Sequence, residues 1–133
     1  MTARMTFTAA EIANGRATTD QQVRHFLDLA AEGLIGEGDE AVYFNSLTLE
    51  LDRFFEDRAR EVTGAGTTPL NELELLGEGL RSEGVVPELD DIDYVASESV
   101  LKLQVGDEIE LSADQFVELS DAVFAELEAK FQG

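Results

Sequence analysis

One apolar stripe limits what this chain can become. Across residues 39–63, Phe44, Leu47, Leu51, Phe54, Phe55, Ala59 and Val62 recur at intervals of three and four. That is the spacing of a helix with one buried face; the faces of a strand alternate at every residue. Acidic residues open the segment, Arg58 and Arg60 stand near its end, and Gly64 follows. Each sits where the helix dipole and a left-handed stop favour it. The spacing therefore predicts a central helix over 39–63.

Other starts and stops frame it. Thr8-Ala9-Ala10-Glu11 has the pattern of a capping box, and Asn14-Gly15 is expected to end that helix within two turns. A second start at Thr19-Asp20-Gln21-Gln22 leads into Val23, Phe26, Leu27, Ala30, Leu34 and Ile35, with Gly36 and Gly38 after them. Thr68-Pro69 supplies a cap and a first-turn proline for a helix carrying Leu70, Leu73, Leu76 and Leu80. Gly77 and Gly79 weaken that helix by roughly 1 kcal/mol each relative to alanine, unless a close neighbour needs the space. Ser112-Ala113-Asp114-Gln115 is another capping box, before Phe116, Leu119, Val123, Leu127 and Phe131.

Between residues 84 and 111 the helical period disappears. Pro87, Glu88, Asp90, Asp91 and Asp93 mark an acidic loop, Ile92-Asp93-Tyr94-Val95 reads as a short strand, and Ser97-Glu98 caps a single turn. Val105-Gly106-Asp107 is a tight turn into Glu108-Ile109-Glu110-Leu111, whose period of two suits a second strand paired with the first. The expected fold is mainly α: a compact bundle of four to five helices with a small two-stranded β appendage between the last two long helices. Residues 1–133 hold no repeat, low-complexity tract or long linker, which predicts a single domain.

The charge is lopsided. The chain carries 29 acidic and 9 basic residues for a net charge of −20, and 17 of the acids fall within residues 70–128, answered only by Arg81 and Lys102. With 44% apolar residues and eight Phe, this is the acidity of a folded protein's skin and not of a disordered tail. Such a field repels phosphate and attracts cationic protein surfaces, so no direct nucleic-acid binding and no docking on anionic lipid are expected. There is no cysteine, which excludes disulfides, thiolate zinc sites and thiol catalysis. The first residues lack the apolar core of a signal peptide and no apolar run is long enough to span a bilayer, so a cytoplasmic protein is expected.

Candidate chemistry is sparse. His25 is the one side chain that ordinarily titrates near neutrality, yet no nucleophile motif points to it, and a surface position is expected. Glu50, Arg53 and Asp57 share a helix face and either line an inward polar pocket or stay solvated, the second being favoured. In the solvated case Arg53 pairs with Asp57 and Glu56 with Arg60, each four residues on. Asp90, Asp91 and Asp93, beside Glu88, offer oxygen ligands for calcium or magnesium, although the spacing is not that of an EF-hand. Phosphate-cradling, dinucleotide, nucleophile-elbow and zinc-protease motifs are missing, so an enzyme of a familiar class and a cofactor are not expected.

The segment Leu51-Asp52-Arg53-Phe54-Phe55, the helix start Pro69-Leu70-Asn71-Glu72 and the stretch from Ser99-Val100-Leu101 through Val105-Gly106-Asp107-Glu108-Ile109 carry a resemblance. Through them, residues 43–131 resemble a family of small, functionally uncharacterised bacterial proteins. The resemblance implies no activity. It draws notice to Asn71 and Glu72, where a helix N-terminus beside a glycine-rich loop can hold a small anion through free amides.

Together these features predict an acidic interaction or regulatory protein that self-associates, as a homodimer, or docks on a basic or apolar partner. Val42, Leu49 and Phe55 are the apolar residues expected to spill beyond the stripe. The alternative is a small-ligand or divalent-metal binder with a pocket near Glu50, Arg53 and Asn71. A mimic of a phosphate backbone stands third.

Overall fold

Helix α1 (Ala9–Ala31) begins where its capping box predicts and then runs through the expected stop. The Thr8 hydroxyl accepts the Glu11 amide at 3.0 Å, and the Glu11 carboxylate accepts the Thr8 amide at 2.9 Å. Asn14-Gly15 does not end the helix, so the expected first two helices are one. The reason is steric: a Cβ on Gly15 would lie 2.9 Å from Phe55 Cζ, so the glycine is there to let an aromatic ring lie against the helix. The computed structural model describes residues 3–133.

The central helix is shorter than its stripe. Helix α2 (Asp39–Phe54) stops at residue 54, and a single turn, α3 (Arg60–Thr63), follows after five residues. Arg58 turns inward and its Nη1 donates to the carbonyls of Phe55 at 2.9 Å and Asp52 at 3.2 Å, capping the end of α2. The backbone of Arg4 enters the gap, its amide donating to Asp57 O at 2.6 Å and its carbonyl accepting from Ala59 N at 2.8 Å. Phe55 and Ala59 stay buried through the break, whereas Phe54 is 48% exposed. The apolar period thus continues where the helix does not. Phe55 belongs to the core, and of the residues expected to spill sideways Val42 is the one that faces solvent, at 69% exposure.

Helix α4 (Pro69–Arg81) follows its cap, with Thr68 Oγ1 accepting the Asn71 amide at 3.2 Å. Its glycines answer to neighbours: a Cβ on Gly77 would stand 2.7 Å from Asp52 Oδ2, and one on Gly79 would strike the Val85 carbonyl and Ile109. Helix α5 (Ala113–Lys130) starts at the Ser112–Gln115 capping box. Helix α2 packs on α1, α4 and α5, and α5 packs in turn on α1 and α4. The four long helices therefore close a ring, with α2 and α5 touching across it. Phe7, Phe44, Phe55, Phe116, Phe124 and Phe131 fill the centre. Phe7 meets Phe55 edge-on at 5.1 Å, and Phe44 lies between Phe26 at 4.8 Å and Phe116 at 5.5 Å, contacts worth about 0.5–1.5 kcal/mol each beyond their burial.

The two-stranded appendage is not present: among the described residues there is no strand. Backbone partners of another kind take both segments. Asn45 on α2 donates from Nδ2 to Ile109 O at 2.8 Å and accepts the Leu111 amide at 3.1 Å, standing where a neighbouring strand would. The 92–95 segment bonds instead to the loop before α4, through Asp93 N to Ala65 O at 2.6 Å and Val95 N to Thr67 Oγ1 at 2.8 Å. One antiparallel bridge remains, between Val85 and Glu108, and beside it Gly106, whose φ is 95°, donates its amide to Val86 O at 2.9 Å. The turn at residues 96–98 is a short 3₁₀ helix. No helix of the described residues is long and apolar enough to cross a membrane.

Candidate functional site

Three buried carboxylates on helices, Asp52, Glu72 and Glu126, set the polar architecture. Asp52, 6% exposed, receives Arg58 Nη2 at 2.7 Å on one oxygen and Arg81 Nη1 at 3.2 Å on the other. Arg58 also reaches Leu70 O at 3.3 Å, so it ties α2 to the start of α4; its buried Nε is left without an acceptor among the described residues. Above this corner lies a recess of about 410 Å³ lined by Asp52, Arg53, Arg58, Glu74, Glu78 and Arg81. Arg53 thus meets a polar recess, but Glu50 is not among its walls. Glu50 is exposed and accepts from Gln22 Nε2 at 3.2 Å. The recess satisfies itself: Arg81 bridges Asp52 and Glu78, the latter at 2.7 Å, and Arg60 holds Glu74 at 2.6 Å. Because α2 ends early, the i, i+4 pairs of Arg53 with Asp57 and Glu56 with Arg60 do not form among the described residues.

Asn71 is fully buried and fully engaged. Its Nδ2 donates to the carbonyls of Gly64 and Gly66, both at 2.9 Å, and its Oδ1 accepts Arg60 Nη1 at 2.8 Å, so it stitches the glycine loop shut. The first-turn amides beside it are also taken. The Leu70 amide donates to Glu126 Oε1 at 2.8 Å, so this chain's own carboxylate occupies the position of the expected small anion. Lys130 Nζ pairs with the other Glu126 oxygen at 2.8 Å. Helix α5 repeats the device, with Ala113 N donating to Glu40 Oε2 at 2.8 Å.

Glu72 is 1% exposed and accepts two amides, Val100 N at 2.8 Å and Leu101 N at 3.0 Å. Burial pushes its carboxyl above the usual value of 4.5, only partly opposed by the two amides and Lys102, with Glu118 adding to the rise. The loop it holds is fastened further by Tyr94, whose hydroxyl donates to Leu103 O, and it passes through Lys102 at a φ of 58°.

The acidic loop does not gather a metal site. Asp91 pairs with Arg60 at 3.0 Å, and among the described residues no three His, Asp or Glu side chains are placed to hold an ion. Asp90 and Asp93 instead line a shallow cavity of about 370 Å³ with Leu89, Tyr94, Val95 and Val105. His25 is exposed on α1.

Most of the cations pair within the chain. Arg4, Arg16, Arg58, Arg60, Arg81 and Lys130 all pair with this chain's own carboxylates, and Lys102 Nζ donates to the carbonyls of Ser97 and Ser99. Of the basic residues, only Arg24 and Arg53 form neither an ion pair nor a side-chain hydrogen bond among the described residues. The acids that remain face solvent with little to neutralise them. Beside Arg24 a groove of about 400 Å³ runs between α1 and α5, with Val23 and Leu27 on one wall and Val117 and Ser120 on the other.

No family model, curated protein or solved structure matches the chain.

Proposed function

We propose that this protein is an acidic docking protein that binds a cationic protein partner in the cytoplasm. One observation carries the reading. Of nine basic side chains, six pair with the protein's own carboxylates, so a chain of net charge −20 has no free cationic cluster among its described residues to set against that charge. A surface of one sign accelerates encounter with an oppositely charged partner and rejects nucleic acid. It also repels a second copy, so docking is favoured over homodimer formation. The self-satisfied arginine recess and the internal carboxylates at two helix starts favour docking over the small-ligand reading.

Zero-length coupling of carboxylates to lysine amines tests this, since the chain has only two lysines of its own. In native extract at low salt, a basic protein should couple to a confined set of Asp and Glu. The adduct should vanish near 1 M salt, where screening shortens to about 3 Å. Absence of any adduct, or adducts spread evenly over every exposed carboxylate, overturns the proposal.

A further inference from the structure

The geometry points to the α1–α5 groove as the seat of that partner, and to a cationic amphipathic helix as its occupant. The inference rests on the docking reading above. The groove has an apolar floor that the fold leaves uncovered, with Leu27 51% and Val117 36% exposed. Its volume of about 400 Å³ takes one or two bulky apolar side chains and not a whole backbone, as in helix-in-groove recognition. No strand exists among the described residues to offer an edge, so an extended peptide has nothing to pair with. The walls are themselves helices, and a third helix can lay its ridge between them.

Charge selects the occupant. Asp20 and Asp28 flank the groove on α1, and Asp114 and Asp121 flank Val117 at helical spacing on α5. Asp121 is only loosely held, 3.7 Å from Arg16. Helix α1 has no basic residue in its last turn, and Asp28 and Glu32 stand at its negative end, where the dipole favours cations. An incoming helix with Lys or Arg on its polar face supplies the missing charge at that end. Its Leu or Phe side chains cover Leu27 and Val117. Arg24, a wall of the groove that is unpaired among the described residues, opposes it, as does Arg16 beside Asp121.

The test uses a fluorescent synthetic peptide of about 18 residues, roughly five helical turns, with Leu on one face and Lys on the other. A scrambled peptide of the same composition serves as control. By anisotropy at low salt, the amphipathic peptide should bind about tenfold more tightly than the scrambled one. Leu27→Asp should abolish that preference, and Arg24→Glu should tighten binding a few-fold. Both positions are exposed, and circular dichroism checks that the variants remain helical. Equal, salt-sensitive binding of both peptides, unmoved by either substitution, overturns the groove and leaves the docking reading standing. Failure of both peptides to bind at low salt overturns both. A wild-type dimer that Leu27→Asp converts to a monomer would give the groove to a second copy and also overturn the inference.

Discussion

Asp52 and Glu72 are both acids shut away from solvent, and they are held in opposite ways. Asp52 lies against two guanidinium groups, with Gly77 leaving room for its oxygens. Glu72 has no guanidinium. It receives two backbone amides, and burial still raises its carboxyl above the usual range. Amides orient a carboxylate but bring no net charge, so they offset its desolvation less completely than arginine does. The first arrangement makes a fixed joint between α2 and α4; the second fastens the 99–103 loop in a way that responds to pH.

Asp52→Ala should break the comparison hardest. It strands the Arg58 charge, whose side chain is 4% exposed, and should cost about 3–5 kcal/mol by urea denaturation. Gly77→Ala crowds the same carboxylate. Helix propensity returns up to about 1 kcal/mol, but the oxygen pinned by Arg81 cannot retreat, so a net loss of about 1–2 kcal/mol is expected in the same measurement. Glu72→Gln presents an NH₂ group to one of the two amides and should cost about 1 kcal/mol at neutral pH. Hydrogen exchange should quicken at Val100 and Leu101.

Glu72→Gln also sharpens the comparison through pH. Because the folded value is raised, the stability linked to protonation of Glu72 is fully present below 4.5 and is lost as pH rises through the raised value. The stability difference between wild type and Glu72→Gln should therefore shrink with rising pH. Glu11 behaves in the reverse sense. Arg4 and the Thr8 amide lower its carboxyl to about 2, so its contribution is present above 4.5 and is lost between 4.5 and about 2. Unfolding midpoints measured across that acid range for Glu11→Gln should show a smaller decline than wild type. Arg81→Ala, at an exposed position, should cost less than about 1 kcal/mol because solvent screens the pair.

Three helix starts were legible because capping is local chemistry, although Thr19 carries the same signal inside α1 and starts nothing. Thr8, Thr68 and Ser112 each accept the amide three residues on, and that spacing is written in the chain. Helix ends were less legible. Gly15 carries the same signal whether it stops a helix or admits Phe55, and only the distant ring decides. The break after Phe54 hides because Phe55 and Ala59 keep the period. Its causes, Arg58 folded inward and the backbone of Arg4, look like solvated charge in the sequence. The pairing of residues 108–111 with Asn45 is likewise non-local. Asn71 and Glu72 were singled out as a place for an anion, and the structure shows them engaged within the chain. Asp52 and Glu126 were missed, although a signal existed. Asp52 follows Thr48 on the face that buries Phe44 and Phe55, and Glu126 adjoins Leu127 on the face that buries Val123. An acid on an apolar stripe calls for an internal partner.

The residues around Phe7 are knitted to those around Phe131: Phe7 N donates to Phe131 O at 2.8 Å and Gly133 N to Phe7 O at 3.1 Å. During synthesis the Phe7 segment must therefore wait, its ring unseated, until residues 131–133 have been made. Closing so wide a loop is slow relative to winding any one helix. The final seating of Phe7 against Phe55 should be a late event, after a nearly complete bundle has already assembled.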